Sequence, residues 1–210
     1  MSLEEQLRAL DVPRRVLRDV YAPFIVVGPA QFSDTWGAVR QHVGDRLRPH
    51  LGQDVFCEAD APVLATEPGV VELATDRLGG TIVRLHRDDG GYWYYAHLSR
   101  YASGLSTGDR VDAGDVIGHC GTTGNAAGGS PHVHFGSYPG PENPMDDLIA
   151  WLDTAEREAH RAVDRAVDRL GPNVPVEAAA IGTSIDVLAA EQCPTGDEAA
   201  DPLDVIVAAS

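Results

Sequence analysis

The sequence predicts a mainly β protein with a helical arm at its N-terminus and one long helix toward its C-terminus. Three observations carry that reading. Between residues 21 and 145, apolar or aromatic runs of strand length alternate with Gly, Pro, Asn and Asp. No stretch of that region keeps a helical period for ten residues. From residue 146 the apolar spacing becomes three and four, and it holds until Gly171-Pro172.

Taken in order, residues 1–23 read as the helical arm. Ser2 followed by Glu5 fits a capping box, Leu3, Leu7 and Leu10 recur at helical spacing, and Pro13 divides the arm. Residues 24–147 form the β body. Its expected strands are the runs at 24–28, 55–59, 62–66, 69–74, 81–85, 92–98, 116–121 and 132–136. Residues 148–170 read as a helix with Leu148, Leu152, Ala155, Ala159, Ala162, Ala166 and Leu170 on one stripe. Asp153 with Arg157 and Arg161 with Asp164 form side-chain pairs on it. The stripe is thin, so it packs on the body or on a protein partner. Residues 171–210 are acidic, rich in Ala and free of aromatics, and read as a largely disordered tail that is a second place for such a partner.

Charge narrows the function. The chain has 210 residues and a net charge of −16, and all 16 basic residues are Arg. So acidic a protein is a poor fit for phosphate backbones or anionic lipid, which excludes a nucleic-acid partner. The acidity is uneven: residues 171–210 carry seven acids and no Arg, whereas residues 1–145 carry 18 acids against 12 Arg. No run approaches the roughly 18 apolar residues of a membrane span. The N-terminus has acids where a signal peptide carries positive charge, so the chain as written is expected in the cytoplasm. The cysteines, Cys57, Cys120 and Cys193, are isolated and odd in number. A reduced compartment is expected, with the thiols acting as small buried hydrophobes.

Eight histidines remain, and spacing singles out some of them. In Pro131-His132-Val133-His134-Phe135, a strand would put both imidazoles on one face and Val133 and Phe135 on the other. In His50-Leu51-Gly52-Gln53-Asp54, Gly52 is expected to let the chain bend so that His50 and Asp54 meet. The alternative is a turn in which Asp54 caps local amides. A carboxylate with two imidazoles makes three ligands, the count with which zinc keeps a fourth position open. His97 sits in the aromatic run Tyr92-Trp93-Tyr94-Tyr95-Ala96-His97-Leu98. His42, His86, His119 and His160 have no such context and are read as structural.

The ordered set HxGxD, YxHL and HxH closely resembles the lysostaphin/LytM-type zinc metallopeptidases, which cleave peptides of bacterial peptidoglycan. Further matches lie at Asp34-Thr35-Trp36-Gly37-Ala38, Gly108-Asp109-Arg110-Val111 and Gly121-Thr122-Thr123-Gly124-Asn125-Ala126, so the resemblance runs from about Phe32 to about Asp147. It implies an antiparallel β-sheet groove of the lysostaphin-like, duplicated-hybrid-motif type. It also implies one zinc ion on His50, Asp54 and His134. His97 and His132 stay off the metal and flank the reacting water, one as general base and the other as oxyanion stabiliser. Trp36 is expected to line the groove, and Tyr92, Trp93, Tyr94 and Tyr138 are expected to be core. The segment Gly108–Gly118 also looks like the turn-and-strand unit of biotinyl/lipoyl-type domains, without a Lys for attachment.

The function so implied is a zinc metalloendopeptidase acting on peptidoglycan stem or crosslink peptides. Two alternatives share the fold: a non-catalytic groove-binding or activator module, and an intracellular peptidase on another substrate. A third reading makes the helix and tail the business end of an acidic interaction protein.

Overall fold

The computed structural model describes Leu10 and residues 24–41 and 47–173. Apart from Leu10, the expected arm 1–23 and tail 171–210 lie almost wholly outside the described residues. Leu10 itself is buried, and its carbonyl accepts a hydrogen bond from Arg169.

Twelve strands precede one long helix among the described residues. They are β1 (Ala30–Gln31), β2 (Val39–Gln41), β3 (Leu47–Pro49), β4 (Gln53–Cys57), β5 (Pro62–Leu64), β6 (Gly69–Asp76), β7 (Gly80–His86) and β8 (Tyr92–Leu98). There follow β9 (Arg100–Tyr101), β10 (Arg110–Val111), β11 (Val116–His119), β12 (His132–Tyr138) and helix α1 (Met145–Leu170). The main sheet has seven antiparallel strands in the order β1-β4-β12-β8-β7-β6-β10. A second sheet has the order β5-β11-β9, and β2 pairs with β3 alone.

The apolar residues of alternate strand positions build one core. Val55, Val133, Phe135, Tyr95, Val83 and Leu85 are fully buried in it. Helix α1 docks on the same core through Leu148, Leu152 and Ala155. Trp151 stands edge-on to Trp93 and Phe135, with ring centroids 5.3 and 5.9 Å apart. Burying three aromatic rings in edge and stacked contacts adds to the area term that holds helix to sheet. Most of the stripe read from the sequence is therefore used within the chain, since Ala162 and Ala166 are buried too.

The strand expected at 55–59 is β4 at 53–57, those expected at 62–66 and 116–121 end two residues early, and two further elements differ. Helix α1 starts at Met145 rather than 148, because the Asn143 side chain accepts the Met145 N–H and Asp146 and Asp147 sit favourably in the first turn. The run at 24–28 forms no strand. Only Val26 bridges, to Val63, although Phe24, Ile25 and Val26 are fully buried. Gly28-Pro29 follows at once, and it limits pairing with β5 to the hydrogen bonds from Val27 to Pro62 and from Leu64 to Ile25.

The cysteine reading is corrected. Cys57 and Cys120 form a disulfide across 63 residues. The reason is tertiary: Asp60 donates to the Cys120 carbonyl and Cys120 N–H donates to Ala61, so the loop after β4 lies beside the end of β11. Local spacing carries no trace of that pairing. Thiol titration of denatured, unreduced protein is expected to find one thiol, Cys193, and three after reduction. Three thiols before reduction would contradict the disulfide.

Candidate metal centre

The site is assembled by strand pairing. β12 runs antiparallel to β4 with His134 directly opposite Asp54, and to β8 with His134 opposite Ala96. Directly opposed side chains share a face. Val133 and Phe135 point into the core, so His132 and His134 point away from it. His50 enters from the loop that precedes β4. Gly52 acts here through space rather than through flexibility. A Cβ at that position would lie 2.6 Å from the Phe135 carbonyl oxygen and 2.7 Å from the His134 ring, so only Gly lets the loop close over β12.

Three ligand atoms converge. His50 Nε2 lies 2.8 Å from His134 Nδ1 and 3.2 Å from Asp54 Oδ1, and His134 Nδ1 lies 3.0 Å from Asp54 Oδ1. A tetrahedral ion with bonds of about 2.0–2.1 Å separates its ligand atoms by roughly 3.3 Å. The donor set, two imidazoles and one carboxylate in a buried place, fits such an ion. Burial acts to raise the Asp54 carboxyl, but contacts with His134 and His50 prevail and hold it well below the usual range. Burial pushes the His134 imidazole down, outweighing its carboxylate neighbour. Both groups are thus in the deprotonated form a metal requires.

Surrounding groups set the ring nitrogens. His50 Nδ1 lies 3.1 Å from the Thr35 carbonyl oxygen, which only accepts. A proton on Nδ1 would donate to that carbonyl and leave the Nε2 lone pair for the cluster. Thr35 is held in turn by Gln53, which is fully buried and accepts the Thr35 N–H at 2.9 Å. The Gln53 amide donates at 2.7 Å to Asp34 and to Asn143, whose side chain also accepts the Met145 N–H at the start of α1. On the other side of the Asp54 carboxylate, Arg40 from β2 donates to Oδ2.

His97 and His132 stand beside the cluster. Their ring centroids are 4.9 Å apart, and His97 is 6.1 Å from His134. His97 Nδ1 meets the Thr123 carbonyl at 2.9 Å, and His132 Nδ1 meets the Ser130 carbonyl at 2.9 Å. Each carbonyl fixes the proton on Nδ1 and leaves Nε2 to the site. Burial and the neighbouring His132 push the His97 imidazole down to about 4, so it is neutral near pH 7. His97 also adopts φ 64°, where β8 bulges against β7 between Thr81 and Val83. A left-handed L-residue costs on the order of 1–2 kcal/mol, so the packing that redirects this side chain toward His132 sustains real strain.

A groove opens at this place. The β2–β3 pair contributes Arg40, Arg48 and Pro49, the β6–β7 turn contributes Leu78 and Gly79, and His50, His97 and His134 share the lining with Asn125. Tyr94 and Tyr138 line it too, and Trp36 does not. That reverses the aromatic expectation for these three. Trp36 follows a turn closed by its own N–H on Asp34, whereas Tyr94 and Tyr138 lie on the strand face that carries His134. Trp93 is core, as expected. His86 pairs with Glu72, His119 and His160 stay out of the cluster, and His42 lies outside the described residues. Thr35, Arg40, Gln53 and Asn143 escaped the sequence reading. Thr35 and Gln53 stood inside matched motifs, and the other two carried no local signal.

Residues 48–146 match the model of peptidase family M23. The solved structure of LytU is 30% identical to this chain, with a TM-score of 0.50, and the match covers 61% of this chain and 90% of that one. The chain belongs to peptidase family M23. The L-Ala--D-Glu endopeptidase of Bacillus subtilis (strain 168) is 37% identical to this M23 chain over 113 residues, 51% of the chain and 34% of the relative. Lysostaphin of Staphylococcus simulans is 38% identical over 89 residues, 41% and 17% respectively. The M23 chain thus spans about a third or less of the length of these curated relatives.

Gly52→Ala is expected to lower both thermal stability and metal affinity, with a cost of about 1–3 kcal/mol from the overpacked loop. Gly140→Ala, where a Cβ meets nothing within 4 Å, is the control. Unfolding scans and a zinc titration check both; an unchanged Gly52→Ala protein would contradict the close approach.

Proposed function

We propose that this M23 chain is a zinc-dependent metalloendopeptidase that hydrolyses peptide bonds of bacterial peptidoglycan. One observation carries the reading: three ligand atoms within about 3 Å of one another, with two further imidazoles whose Nε2 atoms are left to the same site. His50 Nε2, Asp54 Oδ1 and His134 Nδ1 would hold the ion. Zinc in such a site supplies Lewis acidity, polarising a peptide carbonyl and lowering the pKa of water.

The chain's own residues supply the rest. His97 and His132 present imidazole lone pairs backed by carbonyl acceptors, so each can take a proton at Nε2 and stay oriented as the cation. The one that receives the proton then donates it to the leaving amine; the other can stabilise the developing oxyanion only with a proton on Nε2 as well, since a lone pair there cannot donate. Arg40 keeps Asp54 turned so that Oδ1 faces the two ligand imidazoles. The names of the relatives support a peptidoglycan peptide as substrate, since one is called an L-Ala--D-Glu endopeptidase and another a peptidoglycan DD-endopeptidase. All five histidine and aspartate positions are filled, which favours catalysis over the non-catalytic module.

The place of action is part of the proposal. A disulfide fits an oxidising compartment, and peptidoglycan lies outside the cytoplasm. We therefore favour an extracytoplasmic site over the cytoplasmic expectation. No helix among the described residues is long and apolar enough to cross a membrane.

Purified protein is expected to hold one zinc and to release new amino termini from peptidoglycan, with loss on chelation and recovery on zinc addition. His50→Ala is expected to lose the metal. His132→Ala and His97→Ala are expected to keep it and to lose about 10²–10⁴ in kcat. A His132→Ala enzyme with intact zinc and unchanged kcat would sink the assignment.

A further inference from the structure

We propose that Arg48, opposite Arg40 on the β2–β3 pair, forms a carboxylate-recognition subsite beside the metal centre and selects peptides that carry a free carboxylate near the scissile bond. The proposal rests on the peptidase reading and names the substrate class it prefers.

The first observation is register. Arg40 and Arg48 are directly opposed across β2 and β3, so both side chains leave the ribbon on one face, and both line the groove. Two like charges directly opposed are destabilising unless an anion offsets them. Asp54 offsets one of them, because Arg40 donates to its Oδ2. Arg48 is exposed and has no carboxylate partner among the described residues.

The second observation is the charge balance around this arrangement. The chain has twice as many acids as bases. Arginines on and beside the other strands are neutralised: Arg84 pairs with Glu72, Arg87 with Asp89, Arg100 with Asp60 and Arg110 with Asp88. Yet among the described residues no Asp or Glu lines the groove itself. A protein of net −16 repels anionic peptides at long range, so a local positive site is what would admit one to the metal centre. Arg suits the task better than any other cation, since its planar fork donates two parallel hydrogen bonds to a carboxylate.

The chemistry also fits the position. Pro49 follows Arg48 and His50 follows Pro49, so the guanidinium is anchored two residues from a proposed ligand. The Ala38 carbonyl accepts the His50 N–H at 2.9 Å and the His50 carbonyl accepts the Gly37 N–H at 2.8 Å, which ties the β2–β3 pair to the metal loop. An anion held by Arg48 would place the neighbouring peptide bond against His50, His97 and His134. Arg40, already bound to Asp54, acts as a positioning residue, so the test uses Arg48 alone.

The test compares soluble crosslinked muropeptides with the same peptides after their carboxyl groups are converted to amides. Zinc-loaded full chain is assayed for turnover, and binding of both preparations is measured by calorimetry. Wild type is expected to favour the free carboxylates about tenfold or more, through KM and Kd rather than kcat. Arg48→Gln is expected to bring that ratio to near one, Arg48→Lys to keep part of it, and Arg48→Glu to invert it. A ratio unaltered in Arg48→Gln would overturn the subsite while leaving the peptidase reading intact. Arg48-dependent binding without any turnover would instead uphold the subsite and overturn the peptidase reading. Neither binding nor turnover would overturn both.

Discussion

The register of one strand pair governs the chemistry. β4 and β12 are aligned so that Asp54 faces His134 and Val55 faces Val133. A slip of one residue would turn Asp54 toward the core and Val55 toward the groove. What prevents it is hydrophobic burial on the far side of the sheet, where Val55, Val133 and Phe135 are fully enclosed and Phe135 packs against Trp93 and Trp151. Removing a ring such as Phe135 costs about 3–5 kcal/mol in a well-packed core. The apolar face therefore pins the polar face, and the helix α1 that completes the core belongs to the site's scaffold.

A second layer turns placement into function. Backbone carbonyls of Thr35, Ser130 and Thr123 each lie within hydrogen-bond reach of one imidazole Nδ1 and so turn Nε2 of His50, His132 and His97 toward the site. Gln53 links the Thr35 loop to Asn143 and thus to the start of α1. The disulfide adds a covalent tie near both ends of this layer. Cys57 closes the strand that bears Asp54, and Cys120 precedes Gly121, which bridges His132. One strained residue, His97, marks where the scaffold yields to the site.

Much of this was legible in the sequence, for physical reasons. Alternation in Val133-His134-Phe135 reports a sheet with one wet face, and HxGxD with HxH marks His50, Asp54 and His134, which the fold brings within about 3 Å, with His97 of YxHL beside them. The unread parts are long-range. Cys57 and Cys120 are 63 residues apart, and nothing near either one signals the other. Gln53 looked like a spacer inside HxGxD because its partners come from positions 34, 35 and 143. Gly52 was assigned to flexibility, whereas the close approach of His134 is what excludes a side chain there. The charge asymmetry was read as an exclusion only. Its local reversal at Arg40 and Arg48 emerges when two strands place them side by side.

Crystals of the purified protein, measured on either side of the zinc absorption edge, test the central claim most directly. The expected result is a single anomalous peak within bonding distance of His50 Nε2, Asp54 Oδ1 and His134 Nδ1, with His97 and His132 off the metal. A zinc-replete crystal with no peak there, or with the ion held by His97 or His132 instead, would contradict the account.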